Sequence, residues 1–141
     1  MISKFSRIYL LLLAMSCGHW PAHAAANNYT SKIRGILSHY LKDPLSAQIR
    51  IAAVKADAIC GVYNSKNGFG GYVGFKPFTY EPSSGDLFLA GTVIRKSGLV
   101  EDAVAMVEYH GSDFAEFGRR AAQGKGLMQL TETKLRGCEN A

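Results

Sequence analysis

Apolar residues recur at three- and four-residue spacing from Tyr29 onward. Ile33, Ile36, Leu37, Tyr40 and Leu41 would share one face of a helix. Asn28 or Thr30 can cap its start, and Asp43-Pro44 ends it, because proline disfavours the helical conformation in the residue before it. Asp43 is placed to cap a short turn over Pro44 to Ala47. Ala25 to Asn28 reads as a loose leader. The pattern then changes to that of strands. Gln48 to Ala56 carries Ile49, Ile51 and Val54, and Ile59 to Asn64 holds Cys60, Val62 and Tyr63. Ser65-Lys66-Asn67-Gly68 has the composition of a hairpin turn, since Asn-Gly takes positive φ readily. Gly71 to Tyr80 is the return strand, Glu81 to Asp86 is a second turn, and Leu87 to Ile94 is one further strand.

Beyond Arg95 the periodicity is weaker. Ala103 to Tyr109 fits either a strand or a helical turn. Asp113 to Gln123 reads as a helix with Asp113 and Glu116 as a capping box and Gly124 as a stop. Leu127 to Leu135 fits either state. The fold class expected is α+β: an N-terminal helix, a small antiparallel β-meander and a C-terminal helix. No internal repeat or low-complexity linker interrupts it.

The first 24 residues have a different organisation. Lys4 and Arg7 open the chain without an acidic neighbour, and Ile8 to Met15 is an apolar run. That run is far short of the roughly 20 residues of a membrane-spanning helix. Ala22-His23-Ala24 then gives the small-x-small pattern of signal peptidase substrates, so residues 1–24 read as a cleavable secretory signal. Residues 25–141 would form the working domain, with no transmembrane segment left. A rival reading is cleavage before Cys17 with acylation of that cysteine. It departs from the usual lipobox, because Ala14 and Met15 stand where Leu and a small residue are expected. Periplasm is the first location expected, the medium the second, and lipid anchoring through Cys17 the third.

Removing 24 of the 141 residues leaves 117, a length suited to one domain. Fourteen basic residues then face eleven acidic ones, a net charge of +3 spread along the sequence. Nucleic-acid binders concentrate basic charge on one face or stripe, and no such run is visible, so nucleic acid is not an expected partner. The same cleavage discards Cys17 and leaves Cys60 and Cys138. An even count in an oxidising compartment favours a disulfide. A bridge across 78 residues is worth about 4.5 kcal/mol on chain-entropy grounds, as an upper figure. A catalytic thiol at Cys60 assisted by His39 or His110 is the alternative, with no spacing in its favour.

The most distinctive stretch runs from Cys60 to Phe78, with five glycines and five aromatics in nineteen residues. It contains neither a G-x-x-x-x-G-K-[ST] loop nor a G-x-G-x-x-G between strand and helix, which excludes the common phosphate cradles. Two readings remain. Gly70, Gly71 and Gly74 could let a strand bulge, or let an aromatic ring lie over bare backbone. Alternatively the stretch is a binding ridge that exposes Tyr63, Phe69 and Tyr72, with Lys66 and Asn67 at the hairpin tip.

Leu41-Lys-Asp-Pro-Leu-Ser-Ala47, Cys60-Gly61, and Asn64-x-Lys66-Asn67-x-Phe69-Gly-Gly-Tyr-x-Gly-Phe-x-Pro-Phe78 together resemble a family of small exported bacterial proteins, some of them similar to lipoproteins. The resemblance covers roughly residues 33 to 80. It implies an envelope location and a bond between Cys60 and the C-terminal cysteine, and it brings no activity or catalytic residue.

Enzymatic chemistry needs convergent acids, bases or nucleophiles. His39 lies beside the apolar helix face, and His110 has no partner at a ligand spacing. Asp113 and Glu116 are explained by capping and the helix dipole. Glu101 and Asp102 are adjacent in sequence and would not face each other on a helix. No metal spacing is present, and no cofactor is expected. The function expected is a non-catalytic binding or structural module of the cell envelope that contacts a protein or an envelope glycan. A secreted effector of a host-associated bacterium is the second expectation. The third is a small hydrolase inhibitor that inserts Ser65 to Phe69 into a cleft.

Overall fold

In a computed structural model of the chain, residues 22–108 and 113–139 are described. Of the 1–24 segment that carries the export reading, residues 1–21 with Cys17 lie outside them, as does His110, while Ala22, His23 and Ala24 fall at the start of the first helix. Helix α1 spans Ala22–Leu37. Six strands follow: β1 Gln48–Val54, β2 Ile59–Asn64, β3 Lys76–Glu81, β4 Asp86–Leu89, β5 Thr92–Ile94 and β6 Val100–Asp102. Two helices close the chain, α2 Ala103–Val107 and α3 Phe114–Arg136. The strands pair in chain order, each antiparallel to the last, so the sheet is a six-stranded meander. The expected α+β class holds. No helix among the described residues is long and apolar enough to cross a membrane.

Side-chain alternation along the strands divides the core into two layers. Phe78, Tyr80, Leu87, Leu89 and Ile94 are buried with Ile33 and Leu37 of α1. Their sequence neighbours face the other way: Phe88 and Val93 pack with Ala103 and Leu127 of the α2–α3 pair. Thr79, on that second face, donates its hydroxyl to the Lys134 carbonyl at 3.1 Å. Strands β4 and β5 are therefore buried on both sides, which explains why Leu87 to Ile94 is apolar apart from Thr92.

That run is two strands rather than the single one expected. Gly91 takes φ of +72° and turns the chain after Leu89, so Leu89 pairs with Thr92. Gly91 is the one turn residue in the stretch, and Thr92 beside it is buried in β5, so a lone glycine marks the turn. Three helix boundaries also differ from expectation. Residues 25–28 are helical rather than a loose leader. Helix α1 ends at Leu37, so Tyr40 falls out of helical phase and is exposed, while Ile33, Ile36, Leu37 and Leu41 pack inward as expected. Helix α3 passes through Gly124 instead of stopping. A Cβ on Gly124 would lie 2.8 Å from the Ala103 carbonyl oxygen and 2.8 Å from the Val107 side chain, so glycine here permits close crossing of α2. Asp113 does cap α3, accepting from the Ala115 and Glu116 amides. Glu116 pairs with Arg119 and Arg120.

Cys60 and Cys138 are bonded, with Cα atoms 5.6 Å apart. The bond ties the end of α3 to β2, and Lys55 donates to the Gly137 carbonyl beside it at 3.0 Å.

Candidate functional site

The Gly/aromatic stretch forms the connection between β2 and β3, at one end of the sheet. Its turn is wider than the two-residue Asn-Gly turn expected. Neither Asn67 nor Gly68 has positive φ; Gly70 does, at +83°. The loop is closed by the Asn67 amide donating to the Gly71 carbonyl at 2.8 Å and by Gly70 donating to the Asn67 carbonyl at 3.1 Å. The Asn67 side-chain oxygen accepts from the Phe69 amide at 3.0 Å and the Gly71 amide at 3.1 Å. This is the Asx-turn chemistry that makes asparagine a loop former. Asn67 thus shapes the tip from within.

Lys66 bridges to Tyr72 below the tip, whereas Tyr63 pairs with Lys76. Between those two pairs Asn64 and Ser65 oppose Val73, Gly74 and Phe75, which is a bulge of one extra residue. Gly74 supplies φ of +98°, and its amide donates to the Asn64 side-chain oxygen at 3.0 Å. The bulge expected of these glycines is real and sits at Gly74. The ring over bare backbone is found at Gly61, under Phe78.

A second segment braces this hairpin. One Arg34 guanidinium nitrogen of α1 donates to the carbonyls of Pro44, Leu45 and Ala47 at 3.0, 3.2 and 2.7 Å. The Asp43 carboxylate caps the same turn by accepting from the Ser46 amide at 3.2 Å. The Tyr72 hydroxyl then donates to the Ser46 carbonyl at 3.1 Å. Helix, turn and hairpin form one connected platform.

The five residues proposed from sequence as a binding set have different fates. Phe69 is 99 % exposed at the tip. Tyr72 is half-exposed, with Lys66 over its ring at 5.6 Å. Asn67 serves the backbone. Tyr63 is a correction: it is 4 % exposed and belongs to the α1 side of the core, because its strand position faces inward. Ser65 is also buried, so the presented segment is 66–75 rather than Ser65 to Phe69. Burial raises the Tyr63 hydroxyl to about 12, aided by nearby Tyr40.

Several surface residues of this end were not anticipated. Leu45 is 86 % exposed, and Val73 and Phe75 are exposed as well. The Arg50 guanidinium lies 4.3 Å from the centre of the Phe75 ring. The Lys42 ammonium reaches Gly68, where an added Cβ would meet it at 3.7 Å. Basic residues that are scattered in sequence, Lys42, Arg50, Lys66 and Lys76, are gathered around the hairpin. The sequence signal was Leu45, an apolar residue inside a capped Pro-x-Ser turn, where a core side chain is out of place.

Elsewhere several charged groups pair with one another. A groove of about 250 Å³ beside Cys138 holds Lys55, Asp57, Glu81 and Lys134, but Lys134 pairs with Glu81 and Lys55 caps the α3 terminus. A larger groove of about 500 Å³ between α3 and the sheet, lined by Pro77, Gly91, Met128 and Leu135, has Glu132 paired with Arg136 at its rim. Arg95 bridges Asp86 and Glu101, each at 2.9 Å, and these two acids hold its guanidinium above its ordinary range. Asp102 caps α2. Cys60, being bonded to Cys138, offers no thiol, and the His39 ring packs against Gly98. Among the described residues no group of three His, Cys, Asp or Glu is placed to hold a metal ion. No protein-family model, curated protein or solved structure matches this chain.

Proposed function

We propose that the chain is a small exported protein of the bacterial cell envelope that acts as a non-catalytic binding module, with hairpin 66–75 and the Leu45 turn as its contact surface. The single observation that carries this reading is Phe69, held 99 % exposed on a loop fixed by its own hydrogen bonds. Burying a phenylalanine ring gains roughly 1.5–3 kcal/mol. A slack loop could fold the ring back to collect that energy, whereas a loop fixed by Asn67 keeps it outward. Such preorganisation lowers the entropy lost on binding and suits an anchor residue.

Export rests on the basic, apolar and Ala-x-Ala parts of residues 1–24, and the disulfide suits an oxidising compartment. Intact mass on periplasmic, membrane and medium fractions tests the location. The expected chain starts at Ala25, gains two hydrogens on reduction, and is richest in the periplasm. An uncleaved chain in the cytoplasm contradicts the export reading; an acylated chain starting at Cys17 would make it a lipoprotein. Retention in the envelope is expected to fall in Phe69→Ala with the fold unchanged. Equal retention removes the hairpin from the function.

A further inference from the structure

Which partner suits this surface follows from what surrounds Phe69. Residues 42–50 and 64–77 carry four cations, Lys42, Arg50, Lys66 and Lys76, and a single carboxylate, Asp43. That carboxylate accepts from the Ser46 amide. The apolar members, Phe69, Leu45, Val73 and Phe75, are exposed at the same end of the sheet. The side-chain oxygens of Asn67 and Asn64 are turned to the loop's own amides, Asn67 accepting from Phe69 and Gly71 and Asn64 from Gly74. Phe69, 99 % exposed, projects from the tip rather than lining a cleft. What remains is an apolar tip inside a collar of positive charge. That composition matches a bilayer interface, where apolar side chains enter the headgroup boundary and cations face lipid phosphates.

We propose that this end of the protein is an anchor for anionic membrane surfaces: Phe69 and Leu45 enter the interface, and Lys42, Lys66, Arg50 and Lys76 face the phosphates. The inference rests on the binding-module reading and names its partner as anionic phospholipid. The attachment is reversible and salt-sensitive, because few side chains enter and the cations act across water. It needs no acyl chain on Cys17.

The test is flotation of the protein, as recovered from producing cells, with phosphatidylethanolamine vesicles that contain or lack phosphatidylglycerol. Binding is expected with phosphatidylglycerol only, and is expected to fall with added salt. Phe69→Ala should weaken it about tenfold or more, and Lys76→Ala about fivefold, with unchanged thermal unfolding in both. In Phe69→Trp, where a chain starting at Ala25 has no other tryptophan, emission should shift to the blue on adding the anionic vesicles. Equal binding to both vesicle types, or full binding by Phe69→Ala, overturns the proposal. A blue shift with soluble heparin but none with vesicles also overturns it, in favour of a polyanion. Failure to bind vesicles while Phe69 still contacts a partner in cells removes the lipid and leaves the binding module; failure of both removes both.

Discussion

Phe78 of β3 lies against the bare Cα of Gly61 on β2: a Cβ on Gly61 would come 2.5 Å from the ring. The two residues are register partners, and the Arg50 carbonyl of β1 crowds the same spot. Phe78 is fully buried beneath α1, so the ring has nowhere to move. Gly61→Ala should therefore destabilise the fold by about 1–3 kcal/mol, the usual range for overpacking a core. A urea titration measures it. An unchanged midpoint would mean that β2 and β3 separate easily, contrary to their pairing.

The Cys60–Cys138 bond closes 78 residues and pins the last turn of α3 to β2. Reduction should lower stability by up to about 4.5 kcal/mol. Cys138→Ser should reproduce that loss and be insensitive to reductant. Equal urea midpoints with and without reductant would show that the non-covalent contacts of α3, Leu127 in the core and Lys134 with Glu81 among them, hold it in place without the bond.

Alkaline pH offers a check on burial of Tyr63. Its phenol ionises at about 12 in the folded chain and near 10 when unfolded. Because the folded value is the higher, its stabilising share is fully present below pH 10. It is lost as pH rises through 12, since the unfolded chain gives up its proton first. Tyr63→Phe should flatten the fall in stability over that window. An unchanged slope would mean that the hydroxyl reaches water.

The sheet was legible where several polar and glycine residues cluster at a turn, as at 65–68 and 81–86. Strands Gln48–Val54 and Ile59–Asn64 stand close to where alternation and flanking residues put them. The turn at Ala90–Gly91 was not legible, because a lone glycine marks it and the residues that flank it, Leu89 and Thr92, are both buried. Glycine misled at position 124, where it serves contact with α2 rather than termination. At the candidate site, sequence singled out the hairpin stretch but mixed buried and exposed residues within it. Phe69 and Tyr63 are both aromatics near glycine, and only the strand register separates an exposed ring from a buried one. Lys42, Arg50 and Lys76 lie far apart along the chain, so their gathering around the hairpin depends on pairings that local pattern does not encode.

If the hairpin tip meets a partner, a photo-crosslinking side chain placed there will capture it in intact cells. It would replace Phe69 in one variant and Leu99 in another. Leu99 is 59 % exposed and sits in the β5–β6 turn, at the opposite end of the sheet. Crosslinks to lipid or another envelope component from position 69, and few or none from position 99, are the result predicted. Equal labelling from both positions, or none from position 69 in a folded protein, would contradict the account.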